Sequence, residues 1–99
     1  MAEVIWSERA AIDLEAIHRF IARDSQAAAD LTIERIRAST RRLIAFPESG
    51  RPVPEAPDQE VREVIVRPYR LIYGRRDTDV YVVTVLHSAR QLLPGELDA

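Results

Sequence analysis

Cysteine is absent from the chain, which excludes disulfide scaffolds, zinc–thiolate sites and cysteine nucleophiles. Lysine is absent as well: all 14 basic residues are arginine. The codon usage of a GC-rich genome explains such a bias, and its chemical consequence holds regardless. Arginine stays protonated and forks onto carboxylate or phosphate, but it is a poor proton shuttle at neutral pH. Glycine occurs only as Gly50, Gly74 and Gly95, so no glycine-rich phosphate loop is present. There is no Gly-x-Ser-x-Gly elbow either. The histidines, His18 and His87, lie far apart on different elements and lack metal-ligand spacing. Nucleotide binding, metal-dependent hydrolysis and a resident cofactor are therefore not expected. No apolar run reaches about 18 residues, so no transmembrane helix is expected. The start, Met1-Ala2-Glu3-Val4, lacks the basic and apolar regions of a signal peptide, and a cytoplasmic location follows as the expectation.

What is present is ordinary globular material: 46% hydrophobic and 30% charged residues. A chain of 99 residues suits one domain, 1–99. Two cores would leave each half near the size at which folding needs disulfides, metals or partners. The net charge of −2 gives no broad basic footprint for nucleic acid.

The pattern predicts an α+β fold. Ala2 to Trp6 is a short strand-type segment, and Ser7 then fits a helix N-cap with Glu8 in the first turn. Ala10, Leu14, Ile17 and Ile21 form one helical stripe. Asp24-Ser25 can cap a second helix, with the stripe Ala29, Ile33, Ile36, Thr40 and Leu43. Two amphipathic helices with a short joint predict an antiparallel helical hairpin. Residues 47–59 hold four prolines and a glycine, so no regular structure is expected there. Val61 to Arg67 and Tyr69 to Gly74 read as strands, with Pro68 marking a turn or bulge between them. Arg75 to Asp79 is a polar turn. Val80 to Leu86 is nearly continuously apolar, which predicts a central strand buried on both faces. The tail from Gln91 carries Pro94 and Gly95 and is expected to fray. A largely antiparallel sheet with one face on the hairpin follows.

The concentration of chemistry left is arginine on the strand block: Arg62, Arg67, Arg70 and, past the last strand, Arg90. Arg62 and Arg70 bracket Pro68, which would let them converge from neighbouring strands. His87 closes the last strand, three residues before Arg90. Such a face could hold a phosphodiester, with His87 as general acid or base. A structural explanation competes. The arginines could pair with Glu63, Asp77, Asp79 or a partner's acids, and His87 could simply bond to backbone. His18 is expected to be a helix-boundary residue without function. Tyr69 and Tyr73 share parity and could form a stacking platform, although core packing explains them better.

Four segments carry a resemblance. They are Val4-Ile5-Trp6-Ser7 with Ala10-x-x-Asp13-Leu14-x-x-Ile17, then Phe46-Pro47-Glu48-Ser49-Gly50-Arg51. Arg62-Glu63-Val64 with Pro68-Tyr69-Arg70-Leu71-Ile72-Tyr73 follows, and last Val83-x-Val85-Leu86-His87-Ser88-Ala89-Arg90. In order and in length the set resembles ParE-type toxins of the ParE/RelE toxin–antitoxin superfamily, over nearly the whole chain. The resemblance implies a short N-terminal strand and a helical hairpin on a small, largely antiparallel sheet. It implies a bacterial cytoplasmic toxin neutralised by an acidic, partly disordered antitoxin. For ParE-type members it implies poisoning of DNA gyrase, with no catalytic residue needed. For RelE-type members it implies ribosome-dependent messenger RNA cleavage, in which arginines hold the phosphate and lysine, histidine or glutamate moves protons. A C-terminal tyrosine stacks on a base there.

This chain has no lysine and no tyrosine after Tyr81, and it keeps only Arg70, His87 and Arg90 of that set. A gyrase poison is thus expected, with RelE-type cleavage or a non-toxic antitoxin-binding homologue as alternatives. Arg62, Arg67, Arg70, His87 and Arg90 are the expected functional or partner-binding face. Exchanging Arg70 and Arg90 for alanine is expected to weaken toxicity and spare the fold. Direct sequence-specific nucleic-acid binding is not expected.

Overall fold

The computed structural model describes residues 1–97. Its elements are β1 (Val4–Trp6), α1 (Glu8–Ala22), α2 (Gln26–Ala45), β2 (Arg51–Pro52), β3 (Val61–Val66), β4 (Tyr69–Arg76) and β5 (Asp79–His87).

Both helices begin where the sequence places their caps. The Ser7 hydroxyl oxygen accepts from the Ala10 N–H at 2.9 Å, and Ser25 accepts from Ala28 at 3.1 Å. Each satisfies a backbone donor that the helix cannot pair internally. Ser7 does a second job. Its hydroxyl donates to the Val83 carbonyl at 2.8 Å, which ties the start of α1 to β5. Nearly two turns later Asp13 repeats the tie. Its carboxylate accepts from the Thr84 hydroxyl at 2.5 Å and from the Val85 N–H at 3.0 Å. His18 lies inside α1 rather than at its boundary, and its Nε2 sits 2.8 Å from Asp30 of α2. It therefore links the two arms of the hairpin.

The sheet runs β1-β5-β4-β3-β2. Among the described residues only the β1–β5 pair is parallel, with Val4 opposite Val80. The expectation that Val80 to Leu86 forms the central strand needs correction. β5 is interior, but the middle place belongs to β4, and Tyr69 to Tyr73 are buried in an unbroken row there. Strand order is set by contacts between distant segments, which an apolar run does not encode. The turn is also tighter than its polar composition suggests. β4 continues to Arg76 and β5 resumes at Asp79, with Asp77 in the left-handed region at φ 55°. Asp tolerates that conformation better than most residues.

Alternation along the strands gives the sheet two faces. One carries Leu71, Tyr73, Val80 and Val82 onto Ala10, Leu14, Ile36 and Leu43 of the hairpin. Each valine, leucine or isoleucine among them, fully buried, stabilises by about 1.5–3 kcal/mol. The other face is covered as well. Ile72 and Leu86 meet Val53 from the proline-rich loop and Leu92 from the tail in a second, smaller core. The tail from Gln91 thus does not fray at its root, because Leu92 is 7% exposed. The loop also holds regular structure, since Arg51 and Pro52 pair with Glu63 and Arg62 as the sheet's last strand. Proline is tolerated there because an edge strand needs only half of its hydrogen-bonding groups.

Candidate functional site

β4 builds the most charged site in the molecule. Its register sets Arg70 opposite Ile65 and Leu86, on the face that bears the second core. A guanidinium on a nearly enclosed face needs complete pairing, because an unpaired buried charge is strongly destabilising. Arg70 has it. Nε and Nη2 donate to Glu63 Oε1 at 2.9 and 2.6 Å. Nη1 and Nη2 grip the two oxygens of Glu55, each at 2.7 Å. Nη1 also donates to the Arg90 carbonyl at 3.1 Å. All five donors of the guanidinium are used.

The acids are equally engaged. Glu63 has a fully enclosed side chain, and its second oxygen accepts from Arg51 at 2.6 Å. Glu55, 20% exposed at its side chain, also accepts the Leu92 N–H at 3.0 Å. The hydrogen bonds from Arg70 are the main reason that the Glu55 carboxyl falls from an ordinary 4.5 to about 2. The same partners push the Arg70 guanidinium up, Glu55 most of all.

A pH prediction follows. With its folded pKa depressed, Glu55 stabilises the fold fully above pH 4.5 and progressively less as pH falls toward 2. In that window the unfolded chain binds the extra proton. The loss amounts to roughly 2–3 kcal/mol. Denaturant unfolding of the wild type across this range should show it, and Glu55→Gln should flatten the profile.

The structure does not gather the five residues expected to share a face. Arg62 stands opposite Tyr73. Tyr73 lies three positions from Arg70, so Arg62 is on the opposite face from Arg70. Its Nη1 donates to the Gly50 carbonyl at 2.8 Å. Arg67 is exposed in the turn between β3 and β4. His87, exposed at the end of β5, meets the Tyr69 ring edge-on at 5.9 Å, and its Nδ1 accepts from the Ala89 N–H at 3.0 Å. That bond is the backbone role the competing explanation gave it. The Arg90 side chain pairs with Glu96. Only Arg70 and Arg90 come together, beside Arg51 and Ser88, around a groove of about 440 Å³.

The pairing explanation is right for Glu63 and not for Asp77 or Asp79. Asp79 instead accepts from the Glu3 N–H at 2.9 Å. Sequence reasoning missed Arg51 and Glu55 as members of the network. Their irregular loop carries no period that could reveal a partner. Tyr69 and Tyr73 do share a face, but at 8% and 1% exposure they are core residues and offer no stacking platform.

A second concavity of about 600 Å³ lies between α1, α2 and β1, with Trp6, Leu14 and Ile33 in its lining and Arg19 and Arg37 beside them. Among the described residues no group of histidine and acidic side chains could hold a metal ion. No helix among them is long and apolar enough to cross a membrane.

Comparison with known proteins places this architecture. Residues 4–92 match the family model described as ParE toxin of type II toxin-antitoxin system, parDE. Toxin RelE2 of Caulobacter vibrioides is 37% identical over 90 residues, covering 91% of this chain and 99% of its own. Putative toxin Y4kP of Sinorhizobium fredii is 33% identical over 88 residues, covering 87% and 88%. The solved chromosomal ParDE TA system from P. aeruginosa shares the fold, with a TM-score of 0.72 and 21% identity over 88% of this chain and 96% of that one. With its sequence matched almost end to end, the chain belongs to the ParE toxin family of type II toxin–antitoxin systems.

Proposed function

We propose that this toxin poisons DNA gyrase and is held inactive by a cognate antitoxin in the cytoplasm. The main support is the condition of Arg70. RNA cleavage of the RelE type needs an arginine free to hold the scissile phosphate. Every Arg70 donor is occupied by Glu63, Glu55 or the Arg90 carbonyl. His87 is not among the residues lining the groove beside it, and lysine is absent. A net charge of −2 also suits a ribosome poorly, since phosphate contacts dominate affinity for RNA. A poison that acts by binding requires none of these groups.

The exposed arginines at one end of the sheet, Arg67 and Arg90, are the target contacts in this reading. Arg70 is removed from that role, because its exchange would break the network instead of one contact. An acidic antitoxin segment fits the apolar concavity between the helices and β1, where Arg19 and Arg37 supply complementary charge. Purified gyrase supplies the test. The wild type should inhibit supercoiling, and joint Arg67→Ala and Arg90→Ala exchange should raise the concentration needed about tenfold with unchanged thermal stability, a factor worth about 1.4 kcal/mol of binding. Full potency of that variant would remove the proposed contact face.

The relative named RelE2 favours a second reading, ribosome-dependent cleavage, with His87 as acid or base. His87→Gln separates the two. Gyrase poisoning predicts toxicity within about twofold of wild type, whereas general acid–base catalysis predicts a loss of roughly a hundredfold or more.

A further inference from the structure

α1 carries two apolar stripes. One, Ala10, Leu14, Ile17 and Ile21, faces the core. The other lies uncovered on the solvent side: Ile12, Ala16 and Phe20 follow at steps of four, all exposed, Ile12 at 56% and Phe20 at 66%. Steps of four align the three as one ridge along the helix. None of them lines the concavity between α1, α2 and β1. The ridge is symmetric about its smallest member, since Ile12 and Phe20 stand at equal distances from Ala16. A two-fold axis at Ala16 would lay Ile12 of one copy on Phe20 of another, and the reverse.

The charges of the helix are sorted about the same point. Glu8 and Glu15 precede Ala16, Arg19 and the capping Arg23 follow it, and all four are exposed. Among the described residues none of the four has an ion-pair partner. The other titratable groups of α1 are already held within the chain. Arg9 pairs with Glu96, His18 with Asp30, and Asp13 accepts from Thr84 and Val85. By helical position the four free charges share one flank of the ridge. A parallel neighbour would set acid beside acid there. An antiparallel one sets Glu15 beside Arg19 and Glu8 beside Arg23, each pair twice.

We propose that α1 pairs antiparallel with α1 of a second copy of this chain, the two helices crossing at Ala16. Alanine lets the axes approach, Ile12 and Phe20 fill the contact on either side, and the ion pairs fix the direction. One helix face per copy makes an interface below about 1,200 Å², so the dimer is a weak one. The pairing stands whichever target the toxin has, and its test uses neither gyrase nor ribosomes.

Sedimentation equilibrium of the purified full chain tests it. The mean mass should rise from that of one chain at micromolar concentration toward that of two near millimolar. Ala16→Arg sets two like charges on the two-fold axis at an exposed site where arginine is a good helix former. It should weaken association about tenfold or more with unchanged helix content. Charge reversal reads the orientation. Glu15→Arg or Arg19→Glu alone should weaken association about fivefold, and the two together should return it to within about twofold of wild type, because each pair re-forms in reverse. A chain that is monomeric throughout overturns the proposal. So does a dimer that Ala16→Arg leaves at full strength, which must use another face. Single reversals without effect, or a double variant without rescue, overturn the antiparallel arrangement. A chain monomeric alone, whose Phe20 ring signals shift only on adding an acidic antitoxin segment, overturns the second copy and gives the ridge to that partner.

Discussion

Arg70→Ala should destabilise the chain by about 3–5 kcal/mol, the loss that follows when one partner of a buried ion pair is removed. Glu63 would be left with no exposed side-chain surface and only Arg51, itself 63% exposed, to balance it. Glu55 would lose its grip and the Arg90 carbonyl a donor. In a domain of this size that corresponds to a fall of roughly 15–25 °C in Tm. Scanning calorimetry at neutral pH measures it.

A control distinguishes broken charge pairing from lost packing. Removing Glu63 as well, in Arg70→Met with Glu63→Leu, should recover much of the loss, because it removes the one fully enclosed charge and leaves only the partly exposed Glu55 without its arginine. If the double variant is as unstable as the sum of the singles, the charge network is not what holds this part of the sheet.

Gly50→Ala should cost about 2–3 kcal/mol, at the upper end for an added methyl group in a packed site. Its Cβ would stand 2.6 Å from the Glu63 carbonyl oxygen, 2.7 Å from the Tyr73 hydroxyl and 2.8 Å from Tyr73 Cε1. None of these can retreat cheaply. The Glu63 carbonyl is strand backbone. The Tyr73 ring is 1% exposed, and its hydroxyl donates to the Pro47 carbonyl at 2.6 Å while accepting the Gly50 N–H at 3.0 Å. Tyr73→Phe, which removes both of those bonds without a clash, should cost about 1–2 kcal/mol. Combining the two changes should be less damaging than their sum, since the hydroxyl is one of the atoms the new methyl meets. Urea midpoints at constant slope read all three variants. A neutral Gly50→Ala would mean that the loop after α2 yields freely and does not fix the start of β2.

These two sites show what the chain reveals locally and what it conceals. The helical stripes and the Ser7 and Ser25 caps were legible because an α-helix writes its period and its ends into neighbouring residues. The strands β3 and β4 were legible on either side of Pro68 for the same reason. The place of β4 at the sheet centre was not, because it depends on β5 returning beside both β1 and β4. Arg70 was legible as important, but its role was misread. Its partners Glu55 and Glu63 sit 15 and 7 residues away, and only Glu63 lies on a strand with a readable face. Leu92 was passed over because Pro94 and Gly95 nearby suggest a loose end. Its burial is decided by the gap that Val53, Ile72 and Leu86 leave open.

The exposed arginines are the reverse case. Arg67 and Arg90 could be named from the sequence, but composition cannot say which arginines are free and which serve the fold. Tertiary burial and pairing decide that, and Arg70, buried with every donor used, is separated from the exposed Arg67 and Arg90. The proposal of a binding toxin without catalytic machinery rests on this separation.

The most direct measurement offers the purified, folded chain to two targets in parallel: gyrase with DNA and ATP, and translating ribosomes with messenger RNA. The account predicts lost supercoiling with trapped, cleaved DNA in the first reaction and intact messenger in the second. Normal supercoiling by a susceptible gyrase, together with cleaved messenger, would contradict it and require an Arg70 that lets go of Glu55 to hold a phosphate.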